Sequence, residues 1–192
     1  TISEVDEHLQ PIPGTEFYVP CDTLLLSVGL IPENELTETA DIDIDRATKG
    51  AYVNQYRQTK ADGIFACGNV LHVHDLVDNV SDEGFIAGSS AALYVQGKRF
   101  SEVDIETKGS NGVTYVVPQY VNSNDIATDI KFFMRVNDVK ANKKISVRLN
   151  GEEIAKKSAK KFLPGEMINI VVAKDKLEGK TGNLVFSVED KE

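Results

Sequence analysis

The chain contains no tryptophan and only two cysteines, and none of its apolar runs approaches the roughly 18 residues of a membrane-spanning helix. We therefore expect no membrane span. Cys21 and Cys67 do not form a C-x-x-C pair, so the sequence offers neither a redox dithiol nor a zinc knuckle. Both stand in apolar contexts, and we expect both thiols to be buried. No signal peptide is visible, which predicts a cytoplasmic location.

The charge of the chain is negative and unevenly distributed. The net charge of −9 argues against general nucleic-acid binding. Residues 1–108 hold 19 acidic and 7 basic side chains, whereas residues 109–192 hold 11 and 14. This break predicts two units of different kind, with a linker over residues 100–112 and a domain boundary after residue 108.

The chain opens with Thr1 in what reads as a strand, and we expect it to be part of a longer protein. Residues 1–6 and 17–19 predict a hairpin around a turn rich in proline and glycine. The run from Cys21 to Ile31 is continuously apolar at its centre, as in a strand buried on both faces of a parallel sheet. Gly29 and Pro32 end it.

A second apolar strand, TKADGIFACGN at residues 59–69, ends at a glycine and a polar tip. Gly68 permits a sharp turn and close backbone approach, and Asn69 follows at the carboxyl end, where open α/β sheets bind ligands. A polar loop then leads to a helix predicted from Ser81 to Gln96. Small residues form one stripe of this helix: Gly84, Ala87, Gly88, Ala91 and Ala92.

These motifs resemble those of the pyridine nucleotide-disulfide oxidoreductases, flavoproteins with two dinucleotide-binding domains. The second FAD-binding motif of that family is similar to T-x-x-x-G-I-F-A-x-G-[D/N], and it is matched here by Thr59, Gly63, Ile64, Phe65, Ala66, Gly68 and Asn69. The junction where its NAD domain returns to its FAD domain is similar to a second pattern, matched by Asp22, Leu24, Leu25, Gly29, Pro32 and Leu36. The order and spacing of the two motifs also fit.

The resemblance implies FAD and NAD(P)H as cofactors, with a hydride passing from nicotinamide to flavin and onward to an unknown acceptor. It implies that Gly68 and Asn69 lie at the ribityl-phosphate side, where the family has an acidic residue instead of asparagine. Asp75 would line the flavin surroundings. The helix would aim its first amides at the flavin pyrimidine, through Val80, Ser81, Asp82, Glu83 and Gly84. The alternative is an ordinary core helix with a capped end.

The sequence H-V-H-D at residues 72–75 invites comparison with a metal site. Two histidines two apart on a strand share a face, but a site also needs further ligands and supporting hydrogen bonds. The alternative is a polar loop along the flavin edge or the surface. We expect no metal, and we assign no catalytic residue.

The second unit predicts strands near residues 113–121, 130–136, 145–149, 167–172 and 184–188. Asn150-Gly151 predicts a hairpin turn, and Pro164-Gly165 another. The fold class is therefore α+β, with the C-terminal portion of a Rossmann-like FAD/NAD(P)-binding domain followed by a small immunoglobulin-like β-sandwich. Lysines form a basic cluster that either protects an edge strand or attracts an anionic partner: Lys156, Lys157, Lys160 and Lys161.

Two functions follow from these patterns. In the first, the chain is part of an FAD-dependent NAD(P)H oxidoreductase, with a small-molecule or protein acceptor. No G-x-G-x-x-G occurs in the 192 residues, so we expect the chain alone to bind FAD weakly or not at all and not to turn over. In the second, the β-sandwich is a non-catalytic interaction module on a degenerate flavoprotein scaffold, docking a partner subunit or a second copy.

Overall fold

The computed structural model describes residues 1–27, 29–100 and 102–191. Residues 1–100 contain two α-helices, α1 (Glu35–Thr39) and α2 (Val77–Val95), and a short 3-10 helix over Gly68–Val70. Residues 102–191 are built mainly of strands, so the fold is mixed α and β. Within the described ranges, no helix combines the length and apolar character needed to cross a membrane.

Residues 1–27 and 29–31 lie in extended and turn conformations with most side chains exposed. Isolated backbone pairs join Ile2 to Phe17 and Val5 to Pro11, which gives the predicted hairpin in partial form. The predicted buried strand does not form: Leu24, Leu25 and Leu26 are exposed. A strand buried on both faces needs hydrogen-bonding neighbours and covering helices, and no described residue supplies them here. Val28, also in that prediction, lies outside the described residues.

The predicted helix exists but begins one turn earlier, at Val77 rather than Ser81. Leu76 keeps an extended conformation and no side chain caps the helix start. Asn79 and Ser81, polar residues of a kind that often caps helices, lie inside the first turns. The amphipathic pattern explains the earlier start, because Val80 and Glu83 already face the protein interior, as Ala87 and Ser90 do further along.

The second unit contains ten strands among the described residues, and they form two main sheets. The strands are β1 (Ile105–Ser110), β2 (Val113–Val117), β3 (Tyr120–Val121), β4 (Ile130–Val136), β5 (Lys140–Ala141), β6 (Lys143–Leu149), β7 (Glu152–Ser158), β8 (Lys161–Phe162), β9 (Ile168–Val172) and β10 (Gly182–Asp190). One sheet has the order β3-β1-β10-β6-β7 and the other β2-β4-β9, while β5 pairs with β8. Strands β1 and β10 run parallel, whereas the other pairs are antiparallel.

The five predicted strand regions each contain a strand, and the sheets enclose one apolar core. Asn150 and Gly151 both have positive φ and form the turn between β6 and β7. The predicted linker was wrong, because β1 occupies residues 105–110 and pairs with β10; Ser101 in that linker lies outside the described residues. The domain boundary after residue 108 therefore falls within β1 and stays a prediction, as does the immunoglobulin-like topology.

Strand β7 lies at the edge of the five-stranded sheet and carries Lys156 and Lys157 in exposed positions. This placement favours the edge-protection interpretation of the lysine cluster, since exposed lysines oppose pairing with another chain.

The two units contact one another through backbone and side chains. Val53 and Gln119 exchange hydrogen bonds, with Val53 N–H donating to the Gln119 side chain at 3.1 Å and Gln119 N–H donating to the Val53 carbonyl at 3.0 Å. A small apolar cluster of Val53, Leu71 and Val117 lies at the same junction. The junction therefore reaches the segment that follows the motif strand.

Candidate functional site

The motif strand is held in a tight hairpin that ends at Gly68. Thr59 N–H donates to the Ile64 carbonyl at 2.8 Å, and Ala66 N–H donates to the Arg57 carbonyl at 2.9 Å. Gly68 has φ +71°, and a Cβ there would lie 3.2 Å from Val80 Cγ1 of helix α2. The glycine is therefore needed both for its backbone conformation and for the close approach of the helix.

The carboxylate of Glu83 is the centre of a buried hydrogen-bond network. Its Oε1 accepts from Arg57 Nε and His72 Nε2, both at 3.1 Å. Its Oε2 accepts from Gly68 N–H at 2.9 Å and His74 Nε2 at 3.1 Å. The Arg57 and Glu83 side chains are only 1% and 0% exposed. The network therefore ties helix α2 to the motif turn and to both histidines.

The electrostatics of the network keep Glu83 ionised. Burial alone would raise the pKa of Glu83, but hydrogen bonds from His72 and His74 and the charge of Arg57 outweigh it and lower the pKa. Burial lowers the pKa of His72 despite its bond to Glu83, so this ring is neutral. An ionised carboxylate only accepts hydrogen bonds, so both histidines carry their proton on Nε2. Their Nδ1 atoms have no hydrogen-bond partner among the described residues.

His72, His74 and Glu83 also place one ligand atom each within 4.8 Å of one another, close enough to surround a metal ion. Two features oppose that interpretation. A bound cation would face the positive Arg57 directly, and Gly68 N–H already occupies Glu83 Oε2. In addition, metal-bound histidines donate their other ring N–H to a partner, and here each Nδ1 lacks one among the described groups. The hydrogen-bond network accounts for the cluster without a metal.

The predicted cofactor residues Asn69 and Asp75 lie on the loop between Gly68 and α2. Asn69 is half-buried, and its Oδ1 accepts His74 N–H at 3.1 Å, while its amide nitrogen has no hydrogen-bond partner among the described residues. Asp75 is engaged by the second unit: its two oxygens accept Met167 N–H at 3.0 and 3.1 Å, and Arg135 lies 3.3 Å away. Its carboxylate thus holds the loop against the β-unit.

The five predicted helix residues occupy different environments because α2 begins at Val77. In a helix with this start, Ser81 N–H reaches the Val77 carbonyl, so the unpaired amides precede Ser81 rather than follow it. Val80 packs on Gly68 and Glu83 is fully buried, whereas Ser81, Asp82 and Gly84 are exposed. Their roles toward a cofactor stay predictions, and the amides best placed at the open helix end are those near Val77.

Other elements of the site were missed from the sequence. The pair of Arg57 and Glu83 could not be recognised from a local sequence pattern, because the two residues are 26 positions apart. Phe133 also escaped notice, although its ring packs on both histidines, with centroids 5.7 and 5.3 Å away. The cysteine prediction was wrong for Cys21, which is exposed. Cys67 is half-buried, and burial followed by the nearby Glu83 charge raises the pKa of its thiol.

Comparison with known proteins matches residues 1–84 to the family "Pyridine nucleotide-disulphide oxidoreductase". A 107-residue stretch, 55% of this chain, is 34% identical to the mitochondrial dihydrolipoyl dehydrogenase of Caenorhabditis elegans and covers 20% of it. A 77-residue stretch, 40% of this chain, is 31% identical to dihydrolipoyl dehydrogenase of Bacillus subtilis (strain 168) and covers 17% of it. The chain thus spans about a fifth of each of these relatives. No solved structure matches it significantly.

Proposed function

We propose, from the premise that residues 1–84 belong to the pyridine nucleotide-disulphide oxidoreductase family, that this chain supplies one wall of a flavin site in an NAD(P)H oxidoreductase. Family members depend on FAD and NAD(P). The bound flavin would supply hydride acceptance and electron transfer to an acceptor. The residues of this chain would orient the ribityl chain and the pyrimidine end. A cytoplasmic location and an unidentified small-molecule or protein acceptor belong to the same proposal.

The observation that carries the proposal is the arrangement of Gly68, Asn69 and the start of α2. The Asn69 amide nitrogen, directly after the motif strand, has no hydrogen-bond partner among the described residues, and we propose that it donates to a ribityl hydroxyl. Helix α2 begins without a side-chain cap, and its start at Val77 is exposed. An uncapped helix N-terminus favours electron-rich groups such as the flavin pyrimidine carbonyl. Both features support the proposal that these residues contact one side of FAD.

The exposed apolar surface of the first unit supports the same assignment. Leu24, Leu25, Leu26, Leu30 and Ile31 are all more than half exposed. Beside the motif strand, a cleft of about 540 Å³ is lined by apolar side chains, among them Leu36, Ile42 and Phe65. Large exposed apolar side chains that follow one another along the chain, rather than scatter singly, favour a contact site. We propose that, in the natural protein, neighbouring strands of a dinucleotide-binding sheet cover it.

The test is to compare two substitutions at Asn69 in the natural protein, expressed from its own gene and monitored by visible absorbance. Asn69→Asp keeps the acceptor for His74 N–H and replaces the amide donor with a carboxylate oxygen, to which a ribityl hydroxyl can donate instead, so FAD is retained. Asn69→Ala removes both the acceptor for His74 N–H and the amide donor, and it weakens FAD binding about fivefold, the equivalent of one net hydrogen bond.

A control variant tests whether the loss of any asparagine side chain lowers FAD binding. Asn183→Ala on β10 changes an asparagine remote from the loop and leaves FAD binding unaltered. A yellow protein bleached by NADH or NADPH is expected. A colourless wild-type protein that ignores added FAD would overturn the proposed function.

The alternative, a β-sandwich docking a partner subunit or second copy, receives less support. The large exposed apolar side chains of residues 102–191 are Val103, Val139 and Val171, which belong to different segments. Scattered single residues of this kind are normal on a protein surface. The exposed apolar surface lies instead on the first unit.

A further inference from the structure

Strand β4 presents different residues to its two sides, as the alternation of side chains along a strand requires. Phe132, Met134 and Val136 lie in the core between the two sheets. The intervening residues Lys131, Phe133 and Arg135 contact the first unit instead. We call these three side chains the outer face of β4. Strand β4 is therefore contacted on both sides within the chain.

The outer face of β4 contacts one segment in particular, residues 71–76, which we call the histidine loop. The Phe133 ring is fully buried and meets His72 and His74 edge-on, with interplanar angles of 64° and 84°. Tyr115 of the neighbouring strand β2 meets His72 from another side at 5.9 Å. The aromatic contacts hold the two rings that donate to Glu83.

Arg135 fixes the backbone of the same loop. Its Nη2 donates to the Val73 carbonyl at 3.0 Å and to Asp75 at 3.3 Å, while its Nη1 donates to the Pro164 carbonyl at 3.2 Å. Met167 N–H donates to both oxygens of Asp75. A guanidinium that spans two carbonyls and a carboxylate locks geometry more firmly than a single ammonium contact.

A third contact reaches the helix itself. Lys131 Nζ lies 2.7 Å from Asp82, in the second turn of α2. The outer face of β4 therefore touches the histidine loop at Phe133 and Arg135 and helix α2 at Lys131. These are the elements that connect Asn69 to the open helix end.

We infer that Phe133 and Arg135 are positioning residues for the flavin contacts, so that the second unit is a built-in support of the cofactor wall; this inference rests on the proposed function. Asn69 and the start of α2 are separated only by Val70 and the histidine loop. Their relative placement is set by Glu83 on one side of the loop and by β4 on the other. Loss of either support lets Asn69 and the helix start move independently.

The first part of the test follows hydrogen exchange in the chain as it stands. Arg135→Met keeps the length and apolar stem of the side chain but removes its donors. We expect exchange of the amides of residues 71–76 to rise about tenfold, most clearly at His74, whose N–H donates to Asn69, while amides of β6 change little. Arg148→Met, which removes the hydrogen bonds from Arg148 to Glu189 on the five-stranded sheet, is the matched control. It leaves exchange of the histidine loop unchanged.

The second part measures flavin retention in the natural protein. Arg135→Met is expected to speed FAD release about tenfold and to shift the flavin absorbance maximum, and Arg148→Met to do neither. If Arg135→Met does not fold, Phe133→Leu carries the same test through the aromatic contact. Equal effects of the Arg135 and Arg148 variants, or unchanged exchange of the loop, would overturn the inference. A colourless wild-type protein would overturn the proposed function, while the exchange result still decides whether β4 orders the loop.

Discussion

Replacing Glu83 with glutamine is the sharpest perturbation of the buried network, because it keeps the shape of the side chain and changes only its charge and one acceptor. The four groups facing the carboxylate are all N–H donors. The histidines can exchange tautomers and accept from an amide nitrogen, but Arg57 and the Gly68 amide cannot. In either amide orientation, the new NH₂ group therefore faces Arg57 Nε–H or Gly68 N–H, and neither of these can accept a hydrogen bond.

The expected cost is large because Arg57 stays charged and buried after the substitution. Breaking a buried ion pair by removing one partner costs about 3–5 kcal/mol. The total stability of a domain is about 5–15 kcal/mol, so Glu83→Gln removes a large part of it. Glu106→Gln is the matched control: Glu106 pairs with Lys108 at 3.1 Å, and both side chains are more than half exposed. Such surface pairs contribute at most about 1 kcal/mol.

Urea unfolding followed by circular dichroism measures both variants, with the slope m checked against wild type. The double variant Arg57→Met/Glu83→Gln no longer contains the unpaired guanidinium. It should therefore be less destabilised than the sum of the two single variants, by about 0.5–3 kcal/mol. The reasoning fails if Glu83→Gln loses no more stability than Glu106→Gln, since the carboxylate would then not neutralise Arg57.

Three further predictions concern the same network. Burial lowers the pKa of His72 in the folded chain, so the unfolded chain binds a proton first and the free energy of unfolding declines as pH falls below about 6.5. Urea midpoints at pH 7.5, 6.5 and 5.5 should therefore decline less steeply in His72→Gln than in wild type. The control variant His8→Gln, at an exposed histidine, should not alter the decline. The lowered pKa of Glu83 has the same sign in a more acidic window: its contribution is present above about pH 4.3 and is lost as pH falls from there toward its folded-state value. Adding Zn²⁺ or a chelator should leave the melting temperature unchanged, because Arg57 and Gly68 already satisfy Glu83; a zinc-dependent rise that disappears in His74→Gln would instead establish a metal site.

The sequence predicted those features whose signal is local. The Asn150-Gly151 turn and the strand that becomes β4 depend on residue order within short windows, and the structure has both. The family resemblance depended on two such windows, and the family comparison over residues 1–84 agrees with it. Gly68 was singled out for its backbone freedom, and its φ of +71° confirms that reasoning.

The features that escaped prediction depend on contacts between distant residues. The strand predicted at residues 21–31 needs sheet neighbours, and the described residues leave Leu24 and Leu25 exposed. Strand β1 was read as a linker because its polar sequence IETKGS carries only one apolar side chain, and its strand conformation comes from pairing with β10 at the far end of the second unit. Glu83 was predicted only as part of the helix start that faces the flavin, because nothing near it in sequence indicates Arg57.

The contacts on both sides of β4 also limit how the second unit could be exchanged between proteins. A β-sandwich with a free outer sheet could be exchanged between proteins by cutting at the connection alone. Here alternate residues of one strand obey separate constraints, since Phe132 and Met134 must suit the opposite sheet while Phe133 and Arg135 must suit the histidine loop. A chimera would have to inherit the outer positions of β4 with residues 71–76 and the inner positions with the other sheet, so these two units are compatible only as a matched pair.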